Sequence, residues 1–322
     1  MRISREKLLA EAEATGFRLG VLEKAIYLLN LLERLQSHPF LRGRLALKGG
    51  TAVNLFVFDV PRLSVDIDLN YIGAVEREAM LAERPRVEKA IRAVCRREGL
   101  SVRHVPEEHA GGKWSLRYES AAGQGGNLEV DLNYMFRVPL WPVATRDSRS
   151  VGSYRAVGIS VLDIHELAAG KLTALLSRRQ PRDLFDVHQL LRRGGLDRER
   201  LRLVFVVYGA TSRRDWRTVS VDDVAFDVYE VENHLIPLLR NHTVAGGARR
   251  ADFGDRLVEE CRQALDVVLP LSEAEGGFLD HLLERGEIRP SLLTQDEALA
   301  ERIRRQPLLH WKALNVRQHK GR

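Results

Sequence analysis

Cysteine is almost absent from this 322-residue chain. Cys95 and Cys261 are the only two, each in a charged, helix-like setting (RAVCRREG, VEECRQAL) and far apart in sequence. That excludes a disulfide framework and a cysteine zinc site, and it fits a reducing cytoplasm. No stretch approaches the ~20 consecutive apolar residues that a membrane-spanning helix needs. The opening MRISREKLLAEAEATG mixes charges of both signs and has no apolar h-region, so no secretion signal is expected. No H-E-x-x-H or G-x-S-x-G motif is present, and AAGQGG lacks the strand-to-helix context of a dinucleotide site. No internal repeat or low-complexity segment stands out.

What is abundant is positive charge. The net charge is +6, which by itself says little about partners; its distribution says more. Lys171 to Arg217 holds twelve Lys and Arg against five Asp and Glu, and Arg302 to Arg322 holds seven basic residues and no acid. Each run reads equally as a solvated helix face or as a surface for a polyanion.

Hydrophobic periodicity organises the chain into two parts. GFRLGVLEKAIYLLNLLERLQSHPF carries apolar residues at Val21, Ile26, Leu29 and Leu32, a wide helical stripe. RLALKGG reads as a short strand ending at a glycine turn, and TAVNLFVF as a short buried helix. SVDIDLNYI alternates as a strand: Val65, Ile67 and Leu69 on a core face, Ser64, Asp66, Asp68 and Asn70 on the other. EREAMLAERPRVEKAIRAVCRREGL reads as an amphipathic helix with a break at Pro85. SVRHV, GGKWSLRYES, GNLEVDLNYMF and YRAVGISV read as further strands. From about residue 160 the segments are helical. The expected fold is α+β, a lobe over residues 1–158 with a small mixed sheet followed by a helical lobe over 159–322. In the last segment, Leu308, Leu309, Trp311 and Leu314 are expected to pack the helix down, leaving Lys312, Arg317, Lys320 and Arg322 outside.

Two carboxylates on one strand face repel each other unless a cation separates them. Mg²⁺ suits oxygen ligands of this kind and is commonly held by one or two carboxylates plus substrate phosphates. The alternative, an exposed acid pair on a half-buried strand, stays open for a bare D-x-D. Upstream, Gly49, Gly50 and Thr51 fall at a strand-to-helix turn, where backbone N–H groups can cradle phosphate. Asp131, on a later strand, can bring a third carboxylate beside the pair, with Glu129 its rival by parity. Arg62 and Ser64 lie on the approach. His165 and His188 read as packing or surface groups.

A Gly-Gly-Thr turn, a D-x-D strand and a single acid on a later strand resemble the polymerase-β-like nucleotidyltransferases. More narrowly, LKGGTAVNLF…RLSVDIDLNY, ELAAGKLTALLSRR, PRDLFDVHQLL and PLLHWKALNVR are similar to the AbiEii family, nucleotidyltransferase toxins of type IV toxin–antitoxin systems related to the MenT tRNA-modifying toxins. The likeness runs from about residue 40 to the end. It implies an N-terminal nucleotidyltransferase lobe and a C-terminal helical lobe. It also implies that Gly49, Gly50, Thr51 and Ser64 hold the nucleotide, that Asp66 and Asp68 bind Mg²⁺ (or Mn²⁺), and that Asp131 completes the site. Lys171 would contact the triphosphate and Asp183 would be needed for activity, with Arg182 beside the nucleotide and Asp186 a less certain neighbour. The implied activity moves a nucleoside monophosphate from an NTP to the 3′ end of tRNA. A small-molecule or protein acceptor, or NTP binding without transfer, remains an alternative. The expected protein is a cytoplasmic monomer with no membrane partner, its antitoxin encoded nearby and not required to touch it.

Overall fold

The computed structural model describes residues 3–106, 108, 110–241 and 250–320. The chain divides into two compact units. The first takes the described residues of Met1–Arg137, Val143–Leu162 and His234–Ala248; the second takes those of Val138–Pro142, Asp163–Asn233 and Arg249–Arg322.

The first unit is built on a seven-stranded mixed sheet. Its strands are β1 (Leu45–Lys48), β2 (Asp66–Tyr71), β3 (Ser101–His104), β4 (Gly111–Glu119), β5 (Gly125–Asn133), β6 (Ala144–Arg146) and β7 (Ile159–Val161), in the order β3-β4-β5-β2-β1-β7-β6. The sheet is therefore larger than the sequence suggests. The difference is β6, whose three residues carry no readable alternation; β7 falls within the expected strand YRAVGISV. The helices of this unit are α1 (Arg5–Thr15), α2 (Leu19–Ser37), α3 (Gly49–Ala52) and α4 (Arg77–Arg97). Helix α3 continues into a π-turn over Val53–Val57.

One face of the sheet makes the core. Leu47, Ile67, Leu69, Trp114, Val130 and Leu132 share it by register and are all buried. Helix α2 closes over them with Leu22, Ile26, Leu29, Leu32 and other buried residues of its wide stripe. Each such side chain contributes about 1.5–3 kcal/mol on burial. Val65 departs from the expected alternation: it precedes β2 and is half-buried. Helix α4 also departs from expectation, running unbroken through Pro85. Its buried stripe of Met80, Val87, Ala90, Ile91 and Val94 spans the proline. Packing of that stripe outweighs the hydrogen bond the proline cannot donate.

Strands β2 and β5 are parallel and carry the same tetrapeptide, Asp-Leu-Asn-Tyr, at 68–71 and 131–134. The copies lie in register: Asp68 beside Asp131, Leu69 beside Leu132, Asn70 beside Asn133. The Tyr71 and Tyr134 rings follow, with centroids 5.3 Å apart. Reading the chain for long repeats passes over this four-residue echo.

The second unit contains only helices and turns among its described residues. Its α-helices are α5 (Ile164–Arg178), α6 (Pro181–Arg193), α7 (Arg198–Ala210), the single turn α8 (Val228–Glu230), α9 (Arg250–Ala264), α10 (Glu273–Asp280), α11 (Glu297–Arg304) and α12 (Pro307–Lys320). Pro181 opens α6 at a position where its missing N–H costs nothing. Helix α12 overturns one expectation. Leu309 and Ala313 face the core, but Trp311 is 56% and Leu314 49% exposed. Lys312 is the partly buried residue, donating to the Ser212 carbonyl at 2.5 Å, and burial lowers its pKa. Apolar residues on several sides of this helix gave no single stripe to follow. Arg322 and the Lys320 side chain lie outside the described residues.

Candidate active site

Residues directly opposite on paired strands share a face, so register fixes which side chains meet. Across four strands of the first unit one level reads Lys48 (β1), Asp68 (β2), Asp131 (β5), Lys113 (β4). The next level places Asp66 beside Glu129, and Glu129 beside Ser115. Two acids thus sit side by side with a lysine at each end, and Asp66 lies two residues along on the same face. Asp66 and Asp68 are half-buried. The Asp131 carboxyl is held above the ordinary range, chiefly by burial, with Asp68 adding to the rise and Lys48 and Lys113 opposing it.

Glu129 has a different setting from Asp131. Its carboxylate accepts a hydrogen bond from Lys113 Nζ at 2.8 Å, and its side chain is 47% exposed. That bond and the nearby charges of Asp66 and Asp131 raise the Lys113 pKa. The row of acids therefore continues through Asp131, with Glu129 turned to a lysine. Lys48 lies 5.8 Å from the centre of the Phe136 ring.

The glycine turn is fitted to these acids. Gly49 has φ +73, and a Cβ there would lie 2.0 Å from Asp68 Oδ2. Any other residue would be strained in its backbone and would strike the carboxylate. Gly50 and Thr51 are buried in the first turn of α3, a helix end with no side-chain cap. The Thr51 hydroxyl donates to the Asp66 carbonyl at 2.5 Å, tying α3 to the acid strand. Asn54 Nδ2 donates to the Gly50 carbonyl at 3.0 Å. Ser64 is buried just ahead of β2.

The donor chemistry suits a hard divalent cation: oxygen ligands on one face, partly buried, with no sulfur or imidazole. Among the described residues no group of three or more His, Cys, Asp or Glu is arranged to hold a metal ion by itself.

Lys171, Asp183 and Asp186 form a second cluster, within the helical unit. Lys171 Nζ lies 2.9 Å from Asp183 Oδ1 and 2.7 Å from Asp186 Oδ2. Arg178 Nε reaches Asp183 Oδ2 at 2.7 Å. All but Arg178 are buried. Burial works to raise the Asp183 carboxyl, but Lys171 and Arg178 outweigh it and hold the group below its ordinary value. The family resemblance marked Lys171 and Asp183 as candidates but did not show that they bond each other. Arg182 is half-exposed one residue from Asp183.

Glu166 was not singled out in the sequence. It is buried, accepts from Tyr208 Oη at 2.6 Å and from the Trp141 backbone N–H at 3.2 Å, and burial lifts its pKa to about 7. The histidines bear out their plain reading. His165 Nδ1 meets Asp163 at 2.7 Å while its Nε2 accepts from the Asp197 N–H, and His188 Nε2 meets Glu260 at 2.7 Å. Cys95 and Cys261 are buried and unpaired. No helix among the described residues is long and apolar enough to cross a membrane.

No curated protein matches the chain. Among solved structures, it is similar to MenT4, a nucleotidyltransferase toxin from Mycobacterium tuberculosis H37Rv, with a TM-score of 0.64 and 18% identity. The match covers 93% of this chain and 99% of that one. At that identity the likeness establishes the shared fold. The family profile described as "Nucleotidyl transferase AbiEii toxin, Type IV TA system" matches residues 30–267. The chain belongs to the AbiEii nucleotidyl transferase toxin family.

Proposed function

We propose that this nucleotidyltransferase moves a nucleoside monophosphate from an NTP to a hydroxyl of an RNA acceptor, the 3′ end of tRNA, and so blocks translation. The observation that carries the reading is the acid row itself. Asp66, Asp68 and Asp131 share one sheet face, and Asp68 is seated against a glycine turn that tolerates no side chain.

In this reading Asp66, Asp68 and Asp131 would hold Mg²⁺, which would supply charge neutralisation at the phosphates. The backbone of Gly49, Gly50 and Thr51 and the buried Ser64 receive the phosphates. Asp131 helps to orient or deprotonate the attacking hydroxyl. The hydroxyl oxygen forms a bond to the α-phosphorus, the bond from that phosphorus to the bridging oxygen breaks, and pyrophosphate leaves. Positioning and charge cancellation supply most of the acceleration in such transfers. Lys171, Asp183 and Arg182 are assigned to the working enzyme by family likeness. The buried Lys171–Asp183–Asp186 network gives that assignment a physical basis, because removal of one member leaves the others as uncompensated buried charge. The basic runs of the second unit suit an RNA acceptor, whose affinity rests largely on phosphate neutralisation. The unpaired cysteines accord with a cytoplasmic protein. The toxin would act as a monomer, and the cognate antitoxin would be encoded nearby without needing to bind it.

The test is incubation with total tRNA, Mg²⁺ and each labelled NTP in turn. Label on the tRNA 3′ end is expected. Label on a metabolite or a protein, with none on RNA, overturns the acceptor.

A further inference from the structure

The acid row ends in two lysines, of which only Lys48 stands in a quoted motif, LKGGT. Lys48 abuts the glycine turn in sequence. Lys113 does not: it lies on β4, directly beside Asp131 in register, and it is the residue that Glu129 faces. With side chains 64% and 47% exposed, the Lys113–Glu129 pair is a surface ion pair by its solvent contact. Such pairs contribute little to stability. Its location gives it a role, since it stands beside Asp131 in register and bonds Glu129, the neighbour of Asp66.

We propose that Lys113 is the resident counter-ion of the acid row, parked on Glu129 and competing electrostatically with the divalent cation for the same carboxylates. A lysine is fitted to this. It is a compact point charge on a flexible stem, and it can turn between Glu129 and Asp131 without moving the backbone. Arrival of a dication beside Asp131 repels the ammonium and biases it further toward Glu129. Glu129 is then a holding group for the lysine, which explains why it stands on the acid face without being one of the metal ligands. The pair sets how tightly the empty enzyme binds metal, and therefore how far metal binding waits for a nucleotide to bring its own negative charge.

The inference rests on the metal-site reading above, so one titration tests both. Mn²⁺ binding is measured on the full chain by calorimetry, without nucleotide, at low ionic strength. Lys113→Met is expected to tighten Mn²⁺ binding about three- to tenfold, the range a partly solvated charge several ångströms away produces. The gain is expected to shrink when salt is raised. Asp66→Ala is expected to abolish binding. In a Glu129→Gln background, where the lysine is no longer held aside, Lys113→Met is expected to tighten binding by a larger factor than in the parent. A Lys113→Met affinity within twofold of the parent, with Asp66→Ala still abolishing binding, overturns the role of Lys113 and leaves the metal site standing. Unchanged binding in Asp66→Ala overturns the metal-site reading and the inference with it. A loss in Glu129→Gln equal to that in Asp66→Ala makes Glu129 a ligand and overturns its role as a holding group. Melting temperatures of all variants, measured without metal, separate these outcomes from misfolding.

Discussion

The two clusters of charge solve opposite problems. In the helical unit, two buried carboxylates, Asp183 and Asp186, meet the cations of Lys171 and Arg178 at hydrogen-bond distance. In the sheet unit, Asp68 and Asp131 lie side by side, and the Asp131 carboxyl is raised by burial and by its neighbour. The first arrangement pairs buried opposite charges; the second sets two like charges side by side between Lys48 and Lys113.

Substitutions at the two clusters should therefore fail in different ways. Asp66→Ala is expected to cost nucleotide transfer on the order of 10³-fold, as loss of a preorganised charge-stabilising group does. Its urea midpoint should fall by less than that of Lys171→Ala, because Asp66 is half-buried and Lys171 is buried. Next, Lys171→Ala should lose about 3–5 kcal/mol of stability by leaving Asp183 and Asp186 uncompensated. Urea denaturation reads this directly, and an unchanged midpoint would break the contrast between the clusters.

Two buried acids of the helical unit sharpen the comparison through pH. Asp183 has a lowered folded pKa, so its contribution is present above the unfolded value near 4 and is lost as pH falls through the folded pKa. Glu166 runs the other way, with a folded pKa raised to about 7. Between about pH 4.5 and 7 the unfolded chain ionises first, so stability falls as pH rises through that window, by a few kcal/mol at most at about 1.4 kcal/mol per unit. Glu166→Gln should flatten that slope in denaturation curves taken at pH 5 and 8. An unaltered slope would remove Glu166 as its source. Gly49→Ala is expected to cost about 1–2 kcal/mol for the left-handed backbone, accompanied by weakened Mn²⁺ binding as Asp68 is pushed aside. A variant that binds Mn²⁺ like the parent would show that Asp68 can move without loss.

The sequence made the acid strand and the glycine turn readable because their geometry is local: strand parity puts Asp66 and Asp68 together, and one turn sets Gly49. The choice of Asp131 over Glu129 was not local. Both have the same parity, and only register and the Lys113 contact separate them. Lys113 itself gave no signal, since a lysine alternating on a strand looks like any solvated residue. Lys171 read as a surface or phosphate-facing lysine because its partners come from a different helix. The faces of α12 were misread where apolar residues occur on several sides of one helix, so that periodicity could not say that Trp311 is outside.

The doubled Asp-Leu-Asn-Tyr has a consequence for how the protein detects its own folding errors. A slip of one residue between β2 and β5 would bury acids, and hydrophobicity alone forbids it. A slip of two is more dangerous, because it keeps leucine over apolar residues and acids on the open face. Matching tetrapeptides on parallel strands penalise that slip. It would pull Tyr71 away from Tyr134 and place Asp68 beside Glu129 or Asn133 in place of Asp131. The echo thus works as a checksum: the core cannot tell the two registers apart, and the tyrosine pair at the strand ends can.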